Sequence, residues 1–103
     1  ELLMKTVIIS DNRDTFLGMR LAGIGGYYVE EPGLVADALN EAAKDPDVGI
    51  VLITERCAGM IPDLIFDTKK KKLFPLITII PDRHGYKAGR SKITSYISEA
   101  VGL

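Results

Sequence analysis

Three apolar runs decide what this chain can fold into: Thr6-Val7-Ile8-Ile9, Ile50-Val51-Leu52-Ile53 and Leu76-Ile77-Thr78-Ile79-Ile80. A strand with one face in water alternates apolar with polar residues. These runs do not alternate, so the side chains pointing each way need cover. That is how strands read in a parallel sheet flanked by helices on both sides, and the β-branched residues suit it. A fourth run, Tyr27-Tyr28-Val29-Glu30, is short and mixes aromatic with charged residues, as an edge strand does.

Helical periods fill the gaps. Asp14 or Thr15 is placed to cap a helix in which Leu17, Leu21 and Ile24 recur at helical spacing, stopped by Gly23, Gly25 and Gly26. Glu31-Pro32 opens a second helix, since proline is tolerated in a first turn where its missing N–H has no acceptor. Its inner face is Leu34, Ala38, Leu39 and Ala42, and Asp45-Pro46 ends it. A third helix, interrupted or started by Pro62, presents Ile61, Leu64 and Ile65, and Lys69 to Lys72 close it. Ser91 is placed to cap a last helix sharing Ile93, Ile97, Ala100 and Val101 on one face.

The resulting order, β-α-β-α-β-α-β-α with right-handed crossovers, predicts an α/β fold: a four-stranded parallel, doubly wound sheet of order 2-1-3-4, receiver- or Rossmann-like. With 103 residues, 47% of them hydrophobic, and a mean hydropathy of +0.14, the chain supports one core and not two. The expected division is a globular domain over 4–81, then a hinge and C-terminal helix over 82–103. Pro81 to Arg90 is polar with glycines at 85 and 89, which suits a hinge. The last helix, at about 11 residues, is too short to stand alone in water, so its apolar stripe needs a surface, either its own sheet or another protein. Glu1-Leu2-Leu3 stand outside the fold argument, because Met4-Lys5 leads straight into the first strand; an addition before Met4 and an upstream start are both open for them.

Charge and cysteine content narrow the function. Residues 1–68 hold twelve acidic and five basic side chains, while residues 69–103 hold two and eight, so a total of −1 hides an acidic body and a basic arm. Such a chain lacks the uniformly basic surface of a general nucleic-acid binder. The single cysteine, Cys57, cannot form an internal disulfide, and no His/Cys cluster offers a zinc ligand set, so the cytosol is the expected compartment. Apolar runs reach only about five to six residues, far short of the ~20 that span a bilayer, so a membrane role runs through a partner.

In open parallel sheets, ligands sit at the carboxyl ends of the strands, where strand order reverses. There the sequence places Ser10-Asp11-Asn12-Arg13-Asp14, Thr54-Glu55-Arg56 and Asp82-Arg83-His84-Gly85. This polar set does not complete a known chemistry. Gly23-Ile24-Gly25-Gly26 follows a helix, where a dinucleotide fingerprint would follow a strand, and reads as a helix stop. A phospho-accepting receiver wants aspartate ending the third strand and an acidic pair after the first; Thr54 holds that strand end, and Asn12-Arg13 separate Asp11 from Asp14. Asp14 reads instead as an N-cap carboxylate. His84 is conceivable as a general base, but no nucleophile has an assured place beside it, which favours a turn histidine facing solvent or a partner. Cys57 reads as a packing residue near a helix start before it reads as a thiolate. Lys69 to Lys72 suit a helix C-terminus and keep an edge soluble; no aromatic platform accompanies them for nucleic acid. No cofactor or metal is implied. A receiver- or flavodoxin-like ligand-binding or signalling module is the alternative these loops keep open.

Met4-Lys5 with the first strand, followed by Asp11-Asn12-Arg13-Asp14-Thr15-Phe16-Leu17-Gly18-Met19-Arg20-Leu21-Ala22-Gly23, resembles the opening of the F subunits of the V-type ATPases in their bacterial and archaeal form. Gly49 to Arg56 resembles that family's third strand and exit turn, and Pro75 to Gly85 its fourth strand and hinge. The likeness spans Met4 to Gly102. Asn12 stands as an extra residue, Met19 where an aromatic is common, and neither Pro62 nor Cys57 belongs to the pattern. The resemblance implies a non-catalytic part of the central stalk, peripheral and cytoplasmic, bound to the coiled-coil D subunit of the stalk. Through its C-terminal helix it would also reach the A/B catalytic ring, coupling ATP turnover to proton or sodium movement. The partner-binding residues expected on that basis are Arg83, Arg90, Ile93, Ile97, Ala100 and Val101.

Overall fold

The computed structural model describes residues 4–81. Four strands, β1 (Lys5–Ser10), β2 (Gly25–Tyr28), β3 (Val48–Thr54) and β4 (Leu76–Ile80), form one sheet in the order β2-β1-β3-β4, and every pairing is parallel. The connections carry α1 (Arg13–Leu21), α2 (Pro32–Lys44), and the pair α3 (Glu55–Met60) and α4 (Pro62–Lys71). This is the expected doubly wound architecture. Pro62 starts α4 after a break at Ile61, so the third helical region is two helices.

The register assigns each side chain to a face. Thr6, Ile8, Ile50, Leu52, Leu76 and Thr78 share one face; Val7, Ile9, Val51, Ile53, Ile77 and Ile79 share the other. On the second face lies the main core, where Ile9, Val51, Ile53 and Ile77 meet Val35, Ala38, Leu39 and Ala42 of α2, Cys57 and Ala58 of α3, and Ile61 and Ile65. Each large side chain buried there contributes about 1.5–3 kcal/mol. In α2 the expected Ala38, Leu39 and Ala42 do point inward, but Val35 is buried with them in place of Leu34, which is exposed.

The first face is only half clad. Ile8 is fully buried, and α1 lies against β1 and β2, where Phe16 stacks on Tyr28 at 5.9 Å between ring centroids. Farther along, Ile50 is 37% exposed and its neighbour Leu76 49% exposed, with Thr78 open as well. Cover on both faces, which the unbroken apolar runs predict, is therefore incomplete over β3 and β4 among the described residues.

Three local expectations shift. Asn12, and not Asp14 or Thr15, caps α1: its side-chain oxygen accepts from the Thr15 N–H at 3.0 Å. Leu17 and Leu21 face away from the sheet, Leu21 being 91% exposed, and half-buried Phe16 and Met19 make the contact. The edge strand begins at Gly25 and not at Tyr27. Gly23, at φ +88°, does stop the helix, but Gly26 pairs with Ile8, and any Cβ there would overlap the Ile8 backbone.

Candidate functional site

At the carboxyl ends of β1 and β3 the polar strand-end residues meet. Ser10 Oγ donates to the Asn12 carbonyl at 2.8 Å and accepts from the Asn12 N–H at 2.9 Å, which fixes the turn out of β1. That turn aims the Asp11 carboxylate across to β3. There Thr54 donates its hydroxyl to Asp11 Oδ1 at 2.8 Å, and the Cys57 thiol lies 3.9 Å from the same oxygen and 3.7 Å from the Val29 carbonyl. Arg56 Nε stands 3.8 Å from Asp11 Oδ2. A cavity of about 320 Å³ opens beside this group, lined by Asp11, Glu30, Arg56 and Met60.

This arrangement ties two strand ends together more readily than it does chemistry. Asp11 spends one oxygen on Thr54, and Thr54 itself is buried. Burial pushes the Cys57 thiol up to about 11, with nearby Asp11 acting in the same direction against a lowering contact from Thr54. At neutral pH the sulfur is therefore a protonated packing group and not a nucleophile. Among the described residues no cluster of three or more His, Cys, Asp or Glu side chains could hold a metal ion.

The lysine-rich end of α4 is also accounted for locally. Lys72 Nζ donates to the Ala43 carbonyl at 3.1 Å, and Lys70 lies over the Phe66 ring at 5.1 Å. Desolvation lowers the Lys69 ammonium from its ordinary value. Along the opposite flank, Tyr27 donates its hydroxyl to Glu41 Oε1.

A second candidate surface is the open part of the sheet. Ile50, Leu76 and Thr78 are exposed on that face, and Leu73 and Phe74, which precede β4 in the chain, are exposed as well. Apolar exposure on a sheet face suits a contact surface. Sequence reasoning misses it, because the runs themselves do not tell which strand halves a helix covers. The six partner-binding residues expected from the sequence, Arg83, Arg90, Ile93, Ile97, Ala100 and Val101, and the hinge with His84, lie outside the described residues.

Fold and site together define a class: a doubly wound, all-parallel α/β domain whose strand-end loops are locked to one another and whose sheet, among the described residues, keeps an apolar half-face open. Comparison with known proteins makes this specific. The family model for the ATP synthase (F/14-kDa) subunit matches residues 6–97, and the chain belongs to that family. It is 38% identical over 105 residues to the F subunit of the A-type ATP synthase of Thermococcus kodakarensis, covering 97% of this chain and 96% of that protein. To the corresponding F subunit of Methanocaldococcus jannaschii, also of an A-type ATP synthase, it is 34% identical over 101 residues, covering 97% of each. The crystal structure of the F subunit of the V-type ATP synthase from Archaeoglobus fulgidus shares the fold at a TM-score of 0.63 and 22% identity, covering 76% of this chain and 98% of that one.

Proposed function

We propose that this chain is a non-catalytic central-stalk component of an A/V-type rotary ATP synthase, peripheral to the membrane on its cytoplasmic side. In this role it binds the coiled-coil D subunit of the stalk and helps couple ATP synthesis or hydrolysis to proton or sodium transport. The observation that carries the reading is the match of the F-subunit family over residues 6–97. Two structural features agree with it. The polar strand-end loops are held in a hydrogen-bonded lock around Asp11, which suits a stiff adaptor. The half-face over β3 and β4, open among the described residues, offers an apolar surface for a helical partner. In addition, no helix among the described residues is long and apolar enough to cross a membrane.

The globular body over 4–81 serves as the platform, and residues 82–103 form an arm. The arm's stripe of Ile93, Ile97, Ala100 and Val101, flanked by the basic Arg83 and Arg90, meets the stalk and, farther along, the A/B ring. Acidic partners suit it, since four of the chain's thirteen Lys and Arg residues lie between positions 83 and 92. Co-expression with a coiled-coil D subunit, followed by size-exclusion chromatography, tests the proposal: a stable one-to-one complex is expected. Failure to form a complex at micromolar concentrations would refute it.

A further inference from the structure

The two strands that carry the half-face left open among the described residues, β3 and β4, are both entered from helix ends that bear lysine. Lys44 closes α2 just before Val48 opens β3, and Lys70 to Lys72 stand at the end of α4 just before Leu76 opens β4. The hydrogen bond from Lys72 Nζ to the Ala43 carbonyl draws these two ends together, and the chain neighbours Lys44 and Lys71 are exposed. Of the acids nearby, Asp45 is taken up by Lys5 at 3.2 Å, leaving Asp47 and Asp67 against Lys44 and the lysines of α4. Offsetting two helix dipoles takes about half a charge at each end, so a surplus of positive charge remains. At the other end, where β1 and β3 finish, Asp11, Glu30, the buried Glu55 and Asp63 outnumber Arg13 and Arg56.

The exposed apolar pair Ile50 and Leu76 therefore has a basic border at the amino edge of the sheet and an acidic one at the carboxyl edge. An apolar centre with a charged rim is the make-up of a protein interface. Helices cover the faces of parallel sheets, as this chain's own helices do. A helix laid along β3 and β4 meets the two borders at its two ends, and like charges facing each other across an interface are costly. Carboxylates belong at its lysine end and not at the other. Residues 82–103 of this chain have the wrong sign for that end, with four basic side chains against two acidic.

We propose that the half-face over β3 and β4 takes an amphipathic helix of a partner protein, apolar toward Ile50 and Leu76, whose acidic end lies over Lys44 and Lys71. That partner is the D subunit of the stalk reading, on which this rests, and the lysines add the direction in which its helix lies.

Calorimetric titration of the full chain with a purified coiled-coil D subunit, at low and at high salt, tests it. Binding should weaken several-fold at high salt, because charges at the rim are screened. At low salt Lys44→Gln with Lys71→Gln should weaken binding threefold or more and Lys44→Glu with Lys71→Glu tenfold or more, both effects shrinking at high salt. Leu76→Ser should weaken it tenfold at either salt, and Asp63→Asn should not weaken it. Should Leu76→Ser lose its native circular dichroism, Leu76→Thr takes its place. If the parent binds D but the lysine reversal or the Leu76 variant stays within twofold of it, this docking is overturned and the stalk reading stands. A parent chain with no affinity for D overturns both. A parent that elutes as a dimer, dissolved by the Leu76 variant, gives the face to a second copy and rejects the proposal.

Discussion

Replacing Thr54 by valine tests whether the polar lock at the strand ends stabilises the body. The substitution keeps the β-branched shape in a site with 1% exposure and removes only the hydroxyl that donates to Asp11. A hydrogen bond to a charged group contributes ~1.5–3 kcal/mol. The buried methyl that replaces the hydroxyl returns about 0.8 kcal/mol. Asp11, whose side chain is 11% exposed, is left with a long contact to Arg56 and a weak thiol donor. The expected net loss is therefore ~1–2 kcal/mol, or a fall in Tm of roughly 4–16 °C at 4–8 °C per kcal/mol for a domain of this size. Urea unfolding of the full chain, followed by far-UV circular dichroism, measures it. Thr54→Ser, which keeps the donor, should lose about half as much or less. A Thr54→Val protein within about 0.5 kcal/mol of the parent, or a serine variant as weak as the valine one, would show that the Asp11 contact is not stabilising.

Three further outcomes follow from the same structure. Because its pKa is raised to about 11, Cys57 should react with a thiol reagent at pH 8 only slowly in the native protein and at once after unfolding; equal rates would contradict its burial. Tyr27, held protonated chiefly by its hydrogen bond to Glu41, should ionise near pH 12 in a spectrophotometric titration. Its raised folded-state value means that its stabilising contribution is complete below pH 10 and lost between pH 10 and about 12, and Tyr27→Phe should remove that part of the pH dependence. Deleting residues 86–103 should leave a cooperative unfolding transition while, on the proposed function, weakening binding to a stalk coiled coil by tenfold or more; loss of cooperativity would place residues 86–103 in the core.

Strand number, order and direction are legible because β1, β3 and β4 are long enough for β-branched runs to show. The edge strand is not: Gly25 and Gly26 read as punctuation, and only the close approach of the Ile8 backbone explains glycine inside a strand there. The burying face of α1 is hidden for a related reason. A nine-residue helix makes its contact through Phe16 and Met19, so leucines at helical spacing do not mark the inside. Of the candidate site, Asp11 and Thr54 stand out as strand-end residues, but their bond depends on the register between β1 and β3 and joins positions 43 residues apart. Glu55 carries no sequence signal beyond position, since a buried acid at a helix start looks like any first-turn carboxylate.

The half-clad sheet has a mechanical consequence. Resistance of a layered plate to bending climbs steeply with thickness, and over β3 and β4 the described domain is two layers deep where it could be three. Any helix that settles on Ile50 and Leu76 adds the missing layer, so a contact made there would also stiffen the β3–β4 half of the sheet. Compliance while the patch is uncovered and rigidity once it is covered would then be two readings of one surface.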